Sequence, residues 1–220
     1  MTLEELKDKY GSELVLCISN KKLETTSMNL KDAISYYGFL SLRYKAELDF
    51  ESKQIIPYIV IKRGDKIYTT TRIQGDPRLV GKMSIGAGGH IDHKDVVVKD
   101  SRIDVAKTAA NCMNRELLEE LAIDGSVGEY QFITDFCDDS VEVSRVHLCL
   151  LHVLEVAEDT TVEIKETEKL SGEWLTVEEL RETYGSLENW SQIALDLLFP
   201  KTTKKRKNKK VTETEELSEE

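Results

Sequence analysis

The chain has 220 residues, of which 40% are hydrophobic and 32% charged, and its net charge at pH 7 is −11. This composition is typical of a globular protein, and the negative charge argues against a general nucleic-acid binder, whose surface is basic. No run approaches the roughly 18 apolar residues of a membrane-spanning helix, and the N-terminal segment is acidic. We therefore expect a cytoplasmic protein with no membrane partner, and its four scattered cysteines indicate free thiols.

The first part of the chain alternates helical and extended patterns. Helices are predicted over Leu3–Tyr10 and Leu30–Tyr37, the second capped by Asn29, with a short strand over residues 13–19 between them. No chemistry is assigned to this region. We expect residues 1–53 to form an N-terminal extension packed on the core.

A β-hairpin opens the main domain, which is predicted over residues 54–200. Two β-rich runs, residues 55–62 and 66–73, are joined by turn residues around Gly64. A further strand then runs into the glycine-rich segment 86–89, where bare backbone can approach a ligand.

A helix of about 20 residues is predicted next, over residues 101–121. Ser101 and Asp104 form a capping-box pattern at its start. Apolar residues recur at helical spacing, at Ile103, Ala106, Ala110, Met113, Leu117 and Leu121. This face is expected to pack on a sheet.

The remaining residues predict more strands, two short helices and a tail. Strands are expected over residues 130–136, 141–156 and 172–175, and helices are expected to begin after Thr176 and Ser186. Residues 201–220 carry seven basic and five acidic side chains, which predicts a disordered charged tail. A solvated polyampholyte is favoured there over weak contacts with nucleic acid.

Three carboxylates share one face of the predicted central helix. Glu116, Glu119 and Glu120 have i, i+3, i+4 spacing, so their like charges crowd together. A hard divalent cation such as Mg²⁺ reverses this repulsion. Arg115 lies four residues before Glu119, and we expect the two to pair. The competing interpretation is a solvated acidic face without a ligand. The apolar opposite face of the helix and the glycines before it disfavour this interpretation.

The segment from Arg115 to Ile123, R-E-L-L-E-E-L-A-I, resembles the second half of the Nudix box, R-E-φ-x-E-E-x-G-φ with φ apolar. Gly88 and Gly89 resemble the start of that box. The resemblance extends over about residues 54–200. It implies a Nudix-type α/β/α sandwich with a mixed β-sheet. It also implies a metal-dependent hydrolase that cleaves a diphosphate linkage in a nucleoside diphosphate linked to another group.

The resemblance also implies a ligand set for a metal. The carbonyl of Gly88 and the carboxylates of Glu116, Glu119 and Glu120 would bind Mg²⁺, or Mn²⁺ in its place, beside Arg115. The expected partner is a small nucleotide or diphosphate, and a homodimer is compatible with the pattern.

Residues outside the helix are expected to complete the site. Glu168 is our choice for a further metal ligand or general base, with Glu166 and Glu163 as close rivals. Arg72 and Arg78 are expected to contact a phosphate.

The sequence departs from the family pattern in the middle of the box. The stretch between Gly89 and Arg115 is about 12 residues longer than in the family, with the insertion around residues 93–104. Lys107 occupies the position of an expected glutamate, for which Asp92 or Asp95 is a candidate substitute.

The end of the box also differs from the family. Ala122 stands where a glycine normally ends the helix. The sequence therefore predicts either a left-handed Ala122 or a helix that continues to Gly125.

Two other functions were weighed. Lys107 and the insertion favour a catalytically weak or inactive Nudix-fold nucleotide-binding or regulatory module, against which the three intact glutamates argue. An enzyme similar to isopentenyl-diphosphate isomerase would need a catalytic cysteine where Gly88 stands.

The four histidines are interpreted conservatively. His90, His93 and Asp92 lack the ligand spacing of a zinc site and are read as polar turn residues. His147 and His152 have opposite parity in a β-rich run, so they are expected on opposite faces.

Overall fold

The computed structural model describes residues 1–74, 80–140 and 142–200. Arg78 and the tail predicted over 201–220 lie outside the described residues. Within the described ranges, no helix has the length and apolar content needed to cross a membrane. The four cysteines are free, and Cys137 is the exposed one.

The described residues form helices and strands in a mixed order. The α-helices are α1 Leu3–Tyr10, α2 Asn20–Thr25, α3 Leu30–Tyr37, α4 Arg43–Ala46, α5 Val105–Glu120, α6 Val177–Glu182 and α7 Asn189–Leu198. The strands are β1 Leu14–Ser19, β2 Phe39–Leu42, β3 Ser52–Arg63, β4 Lys66–Arg72, β5 Met83–Ser84, β6 Gly86–Gly88, β7 Val98–Lys99, β8 Arg102–Ile103, β9 Leu121–Asp124, β10 Val127–Phe136, β11 His147–Val156, β12 Thr161–Ile164 and β13 Leu170–Thr176.

The long strand β3 organises a mixed central sheet. One of its edges pairs in parallel with β11, from Gln54 opposite His147 to Lys62 opposite Glu155. Strands β1, β6 and β4 pair antiparallel with it at successive positions. Most of β3 is apolar and buried, as expected of a strand covered on both faces.

Helices cover both faces of this sheet. Alternate residues of β3 and β11, such as Tyr58 and Leu151, pack with residues of α6 and α7 on one face. The intervening residues, such as Ile59 and Leu154, pack on the apolar face of α5. This α/β/α arrangement with a mixed sheet is the predicted fold class.

The N-terminal region is built into the same sheet. Strand β1 pairs with β3 on one side and β2 on the other. Helix α3 begins as predicted, because the side chain of Asn29 accepts a hydrogen bond from the backbone N–H of Asp32. Residues 1–53 thus extend the central sheet, and the boundary at residue 53 stays a prediction.

The predicted start of the central helix at Ser101 was wrong. Asp100 and Ser101 have φ of 50° and 60° and form the turn of the β7–β8 hairpin, a geometry that two-residue hairpin turns favour. Helix α5 begins later, at Val105, because the Asp104 side chain caps the N–H of Lys107. The inserted residues therefore fold into a hairpin before the helix.

Both predicted outcomes at Ala122 were wrong. The chain leaves the helix at Leu121 in extended conformation (φ −125°, ψ 148°) and enters β9, where Ala122 pairs with Glu163 of β12. The last helical carbonyls are satisfied by Lys165, whose N–H binds Glu120 and whose ammonium binds Leu118. A capping glycine is unnecessary for this reason.

Two later boundaries also differ from the predictions. In the run predicted as strand over residues 141–156, the described residues become extended only at His147, after a 3-10 turn over Glu142–Val146. Ser186 ends another 3-10 turn and caps no helix. Helix α7 begins at Asn189, because Glu188 donates its N–H to the carbonyl of Met83 and holds the chain extended there.

Candidate active site

The carboxylate of Glu116 lies directly against Gly89. Helix α5 packs across β6, and a Cβ built on Gly89 would lie 1.9 Å from Glu116 Oε1. A residue with any side chain at position 89 would therefore push this carboxylate away. Burial, the largest cause, raises the pKa of Glu116.

Arg115 binds the inserted segment to the helix. Its guanidinium donates to Asp95 Oδ2 at 2.8 Å, to Glu116 Oε1 at 2.7 Å and to the carbonyl of His90 at 2.9 Å. Asp95 is only 4% exposed and also accepts the N–H of Asp92. These contacts fix the orientation of both Arg115 and Glu116.

The predicted pairing of Arg115 with Glu119 is present only as a long contact. Arg115 Nη1 lies 3.6 Å from Glu119 Oε1, beyond hydrogen-bonding distance. The Glu119 side chain is 61% exposed. Asp95 and Glu116 take the short hydrogen bonds of Arg115, which leaves Glu119 free to turn toward a ligand.

Glu120 points into a polar cleft beside the glycine-rich strand. Its neighbours along the wall include Gly88, Arg72, Lys82 and Glu188. Burial, and after it the charges of Glu116, Glu119 and Glu166, together raise the pKa of Glu120 to about 7. The carboxylates clustered around Glu120 offer the oxygen ligands that a hard divalent cation prefers.

Arg72 provides the positive side of the same cleft. It ends β4, and its Nε is buried without a hydrogen-bond partner in the described part of the chain. Its charge lowers the pKa values of both Glu120 and Glu188. A buried donor without a partner is a feature that a bound anion would explain.

Sequence reasoning missed Glu188 and Lys82. Burial raises the pKa of Glu188, and the positive charges of Arg72 and Lys82 partly offset this increase. A perturbed carboxylate in a cleft is a candidate functional group. Neither residue belongs to a motif, and they meet Glu120 only through the packing of β5 and α7 against the sheet.

The loop after β12 brings a further carboxylate toward the helix. Glu166 acts electrostatically on Glu120, and its carbonyl accepts from the N–H groups of Lys169 and Leu170. Glu168 lies in the same turn and is exposed. Glu163 is exposed on β12, where its charge raises the pKa of Tyr68 after the larger effect of burial.

The remaining sequence candidates lie at the edge of the site. Lys107 is exposed in the first turn of α5. Asp92 accepts the N–H of Lys94 and pairs with His93 at 2.7 Å. Of the two aspartates considered as substitutes for the expected glutamate, Asp95 is the one bonded to Arg115.

His147 and His152 lie on opposite faces of β11, as their opposite parity predicted. His152 lines a largely apolar cavity beside α3 and α5. His147 faces α7, with its ring centroid 6.3 Å from that of Trp190. Its Nε2 lies 3.2 Å from Nε2 of His90, a proximity that the local spacing around His90 did not indicate.

Comparisons with known proteins place these features in context. No family model matches the chain. Protein YmaB of Bacillus subtilis (strain 168) is 36% identical over 163 residues, which are 71% of this chain and 76% of that protein. The crystal structure of Tm1382, described as a Nudix hydrolase, has a TM-score of 0.68 and 28% identity, covering 84% of this chain and 98% of that one.

A more distant structure is a MutT Nudix hydrolase from Burkholderia pseudomallei. It is 16% identical, with a TM-score of 0.43, and the match covers 66% of this chain and 98% of that one.

Proposed function

Because the chain belongs to the Nudix hydrolase family, we propose that it is a Mg²⁺- or Mn²⁺-dependent hydrolase of a diphosphate linkage. The proposed substrate class is a nucleoside diphosphate linked to another group. The observation that carries the proposal is the packing of Glu116 on Gly89, with Glu120 in the adjoining cleft.

The donor set supports a hard divalent cation. Glu116, Glu119 and Glu120 offer carboxylate oxygens, and we assign the carbonyl of Gly88 as a further ligand. A cation bound there would neutralise charge on the diphosphate and lower the pKa of an attacking water. The raised pKa of Glu120, which burial and like charges cause, is the electrostatic cost that such a cation would offset.

Arg72 is proposed as the main phosphate ligand. Its Nε is buried without a hydrogen-bond partner, and a bound phosphate oxygen would accept that hydrogen bond. Guanidinium groups bind phosphate oxygens through paired donors. Lys82 lines the same cleft and would add a second positive charge. Arg78 is proposed as a further phosphate ligand on sequence grounds alone.

A carboxylate from outside α5 is proposed to hold or activate the water. Glu168 was the sequence-based choice. The electrostatic coupling of Glu166 with Glu120 and the raised pKa of Glu188, caused by burial, make these two residues its rivals. Comparing Gln variants at the three positions identifies the base, because loss of the base removes the acidic limb of the pH–rate profile.

Arg115 is proposed to position the metal ligands. It binds Glu116 on one side and the buried Asp95 on the other. This arrangement would hold the Glu116 carboxylate in one orientation for a bound metal ion.

A hydrolysis screen tests the proposal. The protein is incubated with nucleoside triphosphates, sugar nucleotides, dinucleoside polyphosphates and coenzyme-linked diphosphates, first with Mg²⁺ and then with Mn²⁺. Hydrolysis of at least one class between its two phosphates, abolished by EDTA, is the expected result. Tight nucleotide binding without turnover under either metal would instead identify a binding module.

A further inference from the structure

A second group of metal-ligating side chains lies on the other face of the sheet from Glu116. Glu47, His90 and His147 each present one ligand atom, and these three atoms lie within 4.8 Å of one another. The residues come from three separate segments, namely the end of α4, the loop after β6 and the start of β11. The fold, and no local motif, brings them together.

The spacing of the two imidazoles fits a shared metal ion. His90 Nε2 and His147 Nε2 are 3.2 Å apart. Two nitrogens bound to one tetrahedral Zn²⁺ at about 2.0–2.1 Å are separated by about 3.3 Å. Two histidines with one carboxylate are a ligand combination that zinc accepts, whereas Mg²⁺ prefers oxygen donors.

Each ligand is held in place by the fold. Glu47 accepts a hydrogen bond from Arg43 Nε at 3.3 Å, and Arg43 in turn pairs with Glu13 at 2.8 Å. The carbonyl of His90 accepts from Arg115, and His147 is paired with β3. Partners of this kind orient metal ligands and balance the charge around them.

Two buried polar groups on the same face as His147 point to a missing ligand. Gln54 is opposite His147 in the β3–β11 pair and 1% exposed, yet neither atom of its amide has a hydrogen-bond partner. The indole Nε1 of Trp190, whose ring contacts His147, is also buried without a partner. Buried polar groups are nearly always bonded, so these exceptions indicate an absent ion or water.

We propose that Glu47, His90 and His147 bind one transition-metal ion of the zinc class, with water or an anion at the fourth position. The site is separate from the proposed carboxylate site on α5. Gly89 faces Glu116, whereas the side chain of the next residue, His90, faces His147, whose ring contacts Trp190 of α7. Bound metal would link the N-terminal extension to the core through Glu47.

Metal binding by the full chain tests this inference. Protein freed of metal by a chelator is titrated with Zn²⁺ in the presence of excess Mg²⁺, and zinc per chain is measured after dialysis. The expected result is one Zn²⁺ per chain and a higher thermal unfolding midpoint. Co²⁺ in place of Zn²⁺ should give the strong visible absorption of a tetrahedral site.

Matched variants identify the ligands. His90→Gln and His147→Gln should bind Zn²⁺ at least tenfold more weakly, whereas His93→Gln, at an exposed histidine three residues from His90, should bind as the natural chain does. Glu47→Gln should also bind Zn²⁺ more weakly. Glu47 is half-buried, and glutamine has nearly the same size, so we expect this variant to fold. Glu120→Gln should keep the zinc.

Several results would overturn the inference. One is absence of zinc and of the Co²⁺ absorption from the natural chain, which would leave the two histidines as a simple hydrogen-bonded pair. Another is unchanged zinc affinity in folded His90→Gln and His147→Gln proteins. Loss of zinc in Glu120→Gln would place the metal in the carboxylate site instead. The first two results leave the proposed hydrolase activity untouched, and the third decides only which of the two sites holds zinc.

Discussion

The carboxylate of Glu116 occupies the space that a side chain at Gly89 would fill, with Oε1 and Cδ lying 1.9 Å and 2.0 Å from an ideal Cβ position. Gly89→Ala should therefore displace Glu116 from the proposed metal site. We expect kcat/KM to fall at least tenfold, equivalent to about 1.4 kcal/mol of transition-state stabilisation. Steady-state kinetics on the folded variant measure the effect.

Gly185→Ala is the matched control for that substitution. A Cβ at Gly185 meets nothing within 4 Å, so activity and stability should be unchanged. Equal kcat/KM in the Gly89→Ala and Gly185→Ala proteins would show that the position of Glu116 is irrelevant to turnover.

Asp95→Asn should destabilise the fold through Arg115. The change removes the charge that Arg115 binds at 2.8 Å and 3.3 Å in a buried position. We expect the free energy of unfolding to fall by about 1–3 kcal/mol. Urea denaturation of the metal-free proteins measures this difference.

Glu119→Gln should impair activity while leaving stability nearly unchanged, in contrast to Asp95→Asn. Its contact with Arg115 is long and exposed, so the free energy of unfolding should change by less than about 1 kcal/mol. Metal-dependent activity should nevertheless fall. A larger loss of stability in Glu119→Gln than in Asp95→Asn would contradict the assignment of Asp95 as the partner of Arg115.

The metal-free protein should lose stability as pH rises from about 4.5 to about 7. Burial and neighbouring carboxylates raise the pKa of Glu120 from 4.5 to about 7 in the folded state, so in this window the folded chain binds more protons than the unfolded one. Stability then decreases with pH, because the slope follows the difference in bound protons. Urea denaturation at about pH 5 and about pH 7.5 measures this decrease in the free energy of unfolding.

Glu120→Gln isolates this contribution from other titrating groups. The variant cannot ionise at position 120, so its stability should fall less over the same interval. Added Mg²⁺ should reduce the fall in the natural chain. An identical pH dependence in the two metal-free proteins would contradict the described environment of Glu120.

Truncation after Pro200 should leave catalysis intact. Residues 201–220 carry none of the proposed site residues and little apolar surface. We expect kcat and KM for a small substrate to stay within about twofold of the full chain. A tenfold fall in kcat/KM in a folded truncated protein would show that the tail contributes to the site.

The local part of the candidate site could be predicted from the sequence. The spacing of Glu116, Glu119 and Glu120 places them together on any continuous helix, and the helix runs through all three. The glycine pair before the helix likewise predicts close backbone approach, and Gly89 meets Glu116.

Contacts between distant segments could not be predicted in the same way. Asp95 binds Arg115 across 20 residues of sequence. The hairpin between them turns at Asp100 and Ser101, which adopt left-handed conformations that propensity disfavours. The end of α5 is set by Lys165, 45 residues beyond Glu120. Spacing rules describe neighbours along one element and carry no information on such contacts.

The metal-dependent turnover of Glu120→Gln distinguishes a catalytic metal site on α5 from a merely acidic helix face. Natural chain, Glu120→Gln and the exposed control Glu182→Gln are assayed on a hydrolysed diphosphate with Mg²⁺, Mn²⁺ or EDTA. The expected result is activity with metal, none with EDTA, and a kcat at least tenfold lower for Glu120→Gln, with Glu182→Gln unchanged. Wild-type turnover by Glu120→Gln, with the same metal dependence, would contradict it.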